Sequence, residues 1–194
     1  WEIGHERADY TTLLQWWNAN NFGQPLYIGQ DLQRSMDKNE LDEKIRQSRE
    51  MSFVHGSCFW YGYLILENSG GIADALKAGA HRAKALIPAY THLHKGRPVK
   101  VKKLTQIFTE DMHFLAWEHR RQPQNPETAR QFVIYRFSAN EKVDLDRAEN
   151  IVAVTPDNFY VLPYEGGGNK YTYAVTALDA FKNEGKAAKI KVKL

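Results

Sequence analysis

DYTTLLQWWNANNFGQPLYIGQDL, residues 9–32, sets a helical period directly before a strand. Leu13, Leu14, Trp16 and Trp17 fall within two turns and predict a helix over 9–20 with a broad apolar face. Asn20, Asn21 and Gly23 close it. Leu26, Tyr27 and Ile28 form a short apolar run bounded by Pro25 and Gly29. Length and borders predict a buried parallel strand.

Outward from this stretch the alternation continues. NELDEKIRQSREM, 39–51, predicts a helix with Leu41, Ile45 and either Ser48 or Arg49 inward. FVHGSCF, 53–59, predicts a second short strand, in which Gly56 and Ser57 let a neighbouring side chain or helix approach. IADALKAGAHRAKAL, 72–86, predicts a third helical segment, with Gly79 either breaking it or permitting close packing. Helices alternating with short apolar strands indicate a parallel α/β domain.

The period changes around 88–102, where Pro88, Gly96 and Pro98 sit among basic and small residues. The expected division is therefore 1–95 and 96–194. Beyond it QFVIYRF (131–137), NIVAVT (150–155), FYVLPY (159–164), KYTYAVTALDA (170–180) and AAKIKVKL (187–194) read as short strands. Phe132, Ile134 and Arg136 alternate with Val133, Tyr135 and Phe137, and Tyr171, Tyr173, Val175 and Ala177 with Thr172, Ala174, Thr176 and Leu178. Ile190, Val192 and Leu194 are expected inward. Strands at this spacing predict a small β-sandwich. Gly166, Gly167 and Gly168 suit a hairpin turn between its strands.

Composition narrows the function classes. The 194 residues carry a formal net charge of +3, and the lysines gather near 95–103 and 182–193. A lysine-rich final strand reads as a solvated edge, and no nucleic-acid partner is expected. No stretch approaches the roughly 18 apolar residues of a membrane span. Cys58 is the only cysteine; it reads as a small buried hydrophobe rather than a nucleophile. The seven histidines are scattered without metal-ligand spacing. No metal or cofactor is expected.

Together YTTLLQWWNAN (10–20), QPLYIGQDL (24–32), EKIRQSRE (43–50), GSCFWYGYLI (56–65) and KALIPAYTHL (84–93) resemble the carboxyl-terminal part of the bacterial glycoside-hydrolase-like proteins related to glycoside hydrolase family 10. That resemblance implies a (β/α)8 barrel of which this chain holds strands six to eight: WEIG (1–4) ending the sixth, PLYIG (25–29) the seventh and FVHGSCF the eighth. The second half, with LAW (115–117), FVIYRF (132–137) and YTYAVTALDAFKNEG (171–185), resembles a fibronectin type III domain. Asp179, Asn183 and Glu184 match its ending and are expected to order its last turn rather than bind calcium.

Active sites of such barrels lie at the carboxyl ends of the strands. Aromatic faces and polar groups there suit sugar rings, so Trp1, Tyr27, Gln30, Trp60 and Tyr61 are the candidate substrate-binding residues. Glycoside hydrolysis uses two carboxylates. Glu2 and Asp31 are the acids at strand ends and the catalytic candidates. Asp31 also suits a cap on the following turn or a pair with Arg34, and no strand-seven glutamate is present, a departure from the family 10 pattern.

The leading expectation is a secreted, periplasmic or cell-surface hydrolase of O-glycosyl bonds in a polysaccharide or oligosaccharide, with this chain inactive alone. A non-catalytic carbohydrate-binding or adhesive module is the second, and a structural spacer the third. Exposure of Trp16, Trp17, Trp60 and Trp117 discriminates between a binding platform and a buried remnant. Two strands and part of a third cannot close a barrel. The chain is expected to meet the preceding barrel portion, to self-associate, or to adopt a smaller fold.

Overall fold

The computed structural model describes residues 1–110, 112–119, 122 and 124–194. The described chain divides into two compact units, Trp1–Ala83 and Lys84–Leu194.

In the first unit, α1 (Tyr10–Ala19) is followed by β1 (Leu26–Asp31), α2 (Leu32–Asp37), α3 (Leu41–Glu50), β2 (Val54–Trp60), α4 (Tyr63–Leu66) and α5 (Ile72–Ala78). β1 and β2 pair in parallel, with α2 and α3 forming the crossover. The Asp9 carboxylate caps α1 by accepting from the Thr12 N–H at 2.8 Å. Tyr10 and Leu14, one turn apart, are the residues of α1 that reach the core, beside Ile28. α3 buries Leu41, Lys44, Ile45 and Ser48, so Ser48 rather than Arg49 completes its inner face.

Two expectations change here and two open points are decided. The apolar face of α1 is narrower than the sequence suggests, because Trp16 and Trp17 point outward, 54% and 42% exposed. WEIG is not a strand: Gly4 adopts φ 71° and its N–H donates to Asp9 at 2.6 Å, turning the segment back so that only the bridge Glu2–Asp9 forms. The third helix stops at Ala78, because Gly79 leaves helical geometry with φ −105° and ψ −108°. Last, the described residues contain no closed barrel; the α/β unit has a two-stranded parallel sheet.

The second unit is a sandwich. One sheet has the order β3 (Lys102–Phe108), β4 (His113–Glu118), β7 (Phe159–Val161); the other has β6 (Ile151–Thr155), β5 (Gln131–Ser138), β8 (Lys170–Leu178), β9 (Ala188–Lys193). All pairings are antiparallel, consistent with the fibronectin type III resemblance. Leu115 and Trp117 pack against Phe132, Ile134, Tyr173 and Val175 between the sheets. Both faces of β5 are buried: Val133, Tyr135 and Phe137 form a second cluster, covered by Leu86, Val143, Leu145 and Ala148.

That cover moves the division of the chain. Residues 84–95 associate with the sandwich, not with the α/β unit. Lys84 Nζ donates to the Val152 carbonyl at 2.7 Å, the Tyr90 N–H donates to the Phe181 carbonyl at 2.9 Å, and His94 stacks on Phe181. Period alone cannot place an irregular segment with the element it covers. Gly166 and Gly167 do form a turn with positive φ, yet it joins strands of different sheets rather than a hairpin. Asp179 and Glu184 order the end of β8 as expected. Asp179 accepts from the N–H groups of Phe181 and Asn183 at 2.8 and 2.9 Å, and Glu184 accepts from the Tyr135 hydroxyl at 2.7 Å.

Candidate functional site

The parallel register decides which face each candidate occupies. Tyr27, Gly29 and Asp31 stand opposite Gly56, Cys58 and Trp60, while Ile28 and Gln30 stand opposite Ser57 and Phe59. Partners in register share a face and alternate residues oppose. Ile28, Gln30 and Phe59 therefore belong to the side packed by helices. Tyr27, Cys58 and Trp60 belong to the other, where they are exposed.

Trp60 and Tyr61 carry this exposed side onward. Their rings lie 4.5 Å apart at 32°, and Tyr61 lies 5.9 Å from Tyr63. The three aromatics form one continuous surface with Trp60 58% exposed. The Trp60–Tyr61 peptide bond is cis. Trp1 and Tyr27 line a separate open groove of about 400 Å³, whose wall includes Trp17 and Gly29. The Tyr27 ring runs over Gly56, where a Cβ would stand 3.2 Å from it. This is the close approach the glycine predicts.

Gln30 does not join this set. It is 1% exposed and donates its side-chain N–H to the Tyr10 hydroxyl at 2.9 Å. An even-numbered strand position puts it under the helices, away from any sugar. Cys58 is corrected in the opposite direction: it is an exposed free thiol, on the same face as Tyr27 and Trp60.

The two acidic candidates are both held by cations. Glu2 pairs with Lys38 Nζ at 2.6 Å beside an open polar depression that also includes His5 and Arg7. The hydrogen bond from Lys38, aided by the charges of Lys38, His5 and Arg34, holds the Glu2 carboxyl below its usual range. Asp31 accepts from the Arg34 N–H at 3.0 Å, capping α2, and meets the Arg34 guanidinium at 3.6 Å. Arg34 thus acts on both carboxylates. An ionised Glu2 suits a base or nucleophile, whereas a general acid needs a raised pKa. No group of three metal-ligating side chains occurs among the described residues.

Lys38 and Tyr63 were not picked out by sequence reasoning, whereas the Asp31–Arg34 pair was. Tyr63 had a local signal in the WYGY run, 60–63. Lys38 had none, since it lies 36 positions from its partner.

No family model matches the chain. It is 30% identical, over an alignment of 202 positions, to the glycosyl hydrolase YngK of Bacillus subtilis (strain 168). The alignment takes in 97% of the chain and 39% of that protein, so the chain spans about two fifths of the curated relative's length. Among solved structures, the spore cortex lytic enzyme SleM of Clostridium perfringens overlaps 50% of the chain and 28% of its own length, at 12% identity and a TM-score of 0.35. Domains d3–d4 of rat CD45 overlap 51% of each chain at 12% identity and a TM-score of 0.36. A structure titled FN3tt mut is 18% identical over 48% of this chain and 86% of its own, with a TM-score of 0.31. These overlaps are too loose to assign a site.

Proposed function

We propose that this chain is a portion of a glycoside-hydrolase-like protein that acts on O-glycosyl bonds of a polysaccharide outside the cytoplasm: secreted, periplasmic or at the cell surface. The observation that carries the reading is the identity with a glycosyl hydrolase along nearly the whole chain. The exposed rings of Trp1, Tyr27, Trp60 and Tyr61 support it, because aromatic faces against solvent suit the apolar C–H patches of sugars.

In this reading Trp60 and Tyr61 bind one part of the glycan, and Trp1 and Tyr27 another. Glu2, kept ionised by Lys38, serves as base or nucleophile, with Asp31 the second carboxylate at the strand ends. Further barrel strands, from a preceding segment or a separate chain, extend the parallel sheet at its edges and close the barrel, leaving the strand ends open to the glycan. Without them the chain binds but does not hydrolyse.

The test is hydrolysis of a panel of neutral polysaccharides, with released reducing sugar as the readout. Residues 1–194 alone should give none. In the longer protein, Glu2→Gln and Asp31→Asn should each lower kcat by about a hundredfold or more. Full turnover by either variant rejects its role.

A non-catalytic binding module is the second reading. It is favoured by the exposure of three tryptophans, Trp16, Trp17 and Trp60, while Trp117 is buried. Trp16 and Trp17 meet edge-on at 88°, so they do not present one flat platform. Glycan binding by the longer protein, lost in Trp60→Ala and never accompanied by turnover, would select this reading.

A further inference from the structure

The last strand of the sandwich carries a charge pattern that edge protection does not explain. Lys189, Lys191 and Lys193 are exposed, whereas Ala188, Ile190 and Val192 turn to the core. In register, Lys189 stands opposite Ala174, Lys191 opposite Thr172 and Lys193 opposite Lys170. All four lysines therefore project from the outer face of the four-stranded sheet. Alternate strand positions are about 6.8 Å apart, so the β9 lysines form a row about 14 Å long.

Lysines on an edge strand block unwanted strand pairing, and β9 is an edge. Lys170 is on β8, an interior strand, and lies directly across from Lys193. Like charges placed opposite each other destabilise a sheet. No carboxylate among the described residues meets any of the four, although Lys38, Lys44, Lys103, Arg136 and Arg147 all have acidic partners. The sandwich keeps a like-charge pair where one acidic residue would have neutralised it.

We infer that this lysine face binds an acidic polysaccharide, a linear glycan bearing carboxylates. The row is extended and follows a strand, which fits a chain-like anion. Nucleic acid fits less well: the nearby rings of Tyr171 and Tyr173 pack toward the core, so the face offers no platform for bases. The described residues of the sandwich unit form no α-helix to enter a groove. The choice of a glycan as the polyanion rests on the proposed function; the cationic face does not.

The probe is fluorescein-labelled sodium alginate, a linear uronate polymer, titrated with residues 1–194 and followed by anisotropy. Neutral dextran and single-stranded DNA serve as comparison ligands. Alginate should bind at low ionic strength and weaken about tenfold on going to about 150 mM salt, as released counterions are retaken. K189Q/K191Q/K193Q should weaken binding about tenfold, the corresponding Lys→Arg variant should retain it, and Lys77→Gln with Lys142→Gln should stay within about twofold. If circular dichroism shows the triple Gln variant unfolded, Lys170→Gln and Lys191→Gln singly should each weaken binding about twofold. Undetectable alginate binding, equal loss in the control variant, or tighter binding of single-stranded DNA than of alginate would overturn the inference. Hydrolysis of neutral glycans by the longer protein is read independently, so its presence or absence leaves this result intact.

Discussion

Gln30 Nε2 donates to the Tyr10 hydroxyl at 2.9 Å, joining the carboxyl end of β1 to the first residue of α1 across the core of the α/β unit. The same hydroxyl lies 2.7 Å from Ser48 Oγ and donates to the Lys44 carbonyl at 3.2 Å. One tyrosine oxygen thus ties β1 and α1 to α3.

Tyr10→Phe removes that oxygen and leaves the buried Gln30 amide without its acceptor. A buried polar group left unpaired costs about 1–3 kcal/mol. Urea unfolding followed by far-UV circular dichroism should show a loss in that range. Gln30→Ala should cost no glycan affinity beyond what its stability loss explains, in contrast to Trp60→Ala.

Lys44 is 2% exposed and its ammonium pairs with Glu40 at 2.9 Å. Glu40→Ala strands a buried charge, so it should destabilise the chain by about 3 kcal/mol or more. Lys44→Met fills the same space without charge and should cost less. The exposed pair Arg46–Glu43 gives the contrast: Glu43→Gln should leave the denaturant midpoint nearly unchanged, because solvent screens that pair. The denaturant midpoints of these variants rank the three effects.

Asp31 has two roles that one substitution separates. Its carboxylate caps α2 through the Arg34 N–H. Asp31→Ala should cost about 1 kcal/mol of stability, while Asp31→Asn keeps a capping oxygen and should cost little. In the longer protein, a loss of kcat in Asp31→Asn with unchanged stability would assign chemistry rather than capping. Equal kcat in Asn and wild type would leave the cap as its whole role.

Stability should also fall at alkaline pH, through two tyrosines of the sandwich core. Burial, then the Glu184 carboxylate, holds the Tyr135 proton above its ordinary range, and burial pushes Tyr173 up to about 12 against the pull of Arg136. An unfolded tyrosine titrates near 10. A proton held more tightly when folded stabilises fully below about pH 10 and is lost as pH rises through the folded value. Unfolding measured from about pH 9 to about pH 12 should show that decline. Tyr173→Phe should flatten it, and an unchanged slope would exclude Tyr173 as a source.

The elements were legible because their signals are local. Leu41 and Ile45 mark the buried side of α3 by helical spacing, and the alternation of Tyr171, Tyr173 and Val175 marks β8. Trp60 and Tyr61 were legible as aromatics at a strand end, since the run of rings is contiguous in sequence, but their exposure was not. Other features depend on what covers a face. Gln30 and Tyr27 both lie on β1, yet one is under the helices and the other is in solvent. Period-two alternation separates the two faces without saying which will be buried. Cys58 was misread for that reason.

By itself the sequence determined the alternation of the longer helices with the two parallel strands, five strands of the second unit, the change of period between the units and the aromatic character of the strand ends, because each is set by residues within a few positions of one another. Only the tertiary structure decided that Lys38 holds Glu2, that Gln30 serves Tyr10, that residues 84–95 cover the sandwich, and that Lys170 faces Lys193. Those contacts join residues distant in sequence, and the pairing of distant residues is fixed by register and packing, which no local pattern encodes.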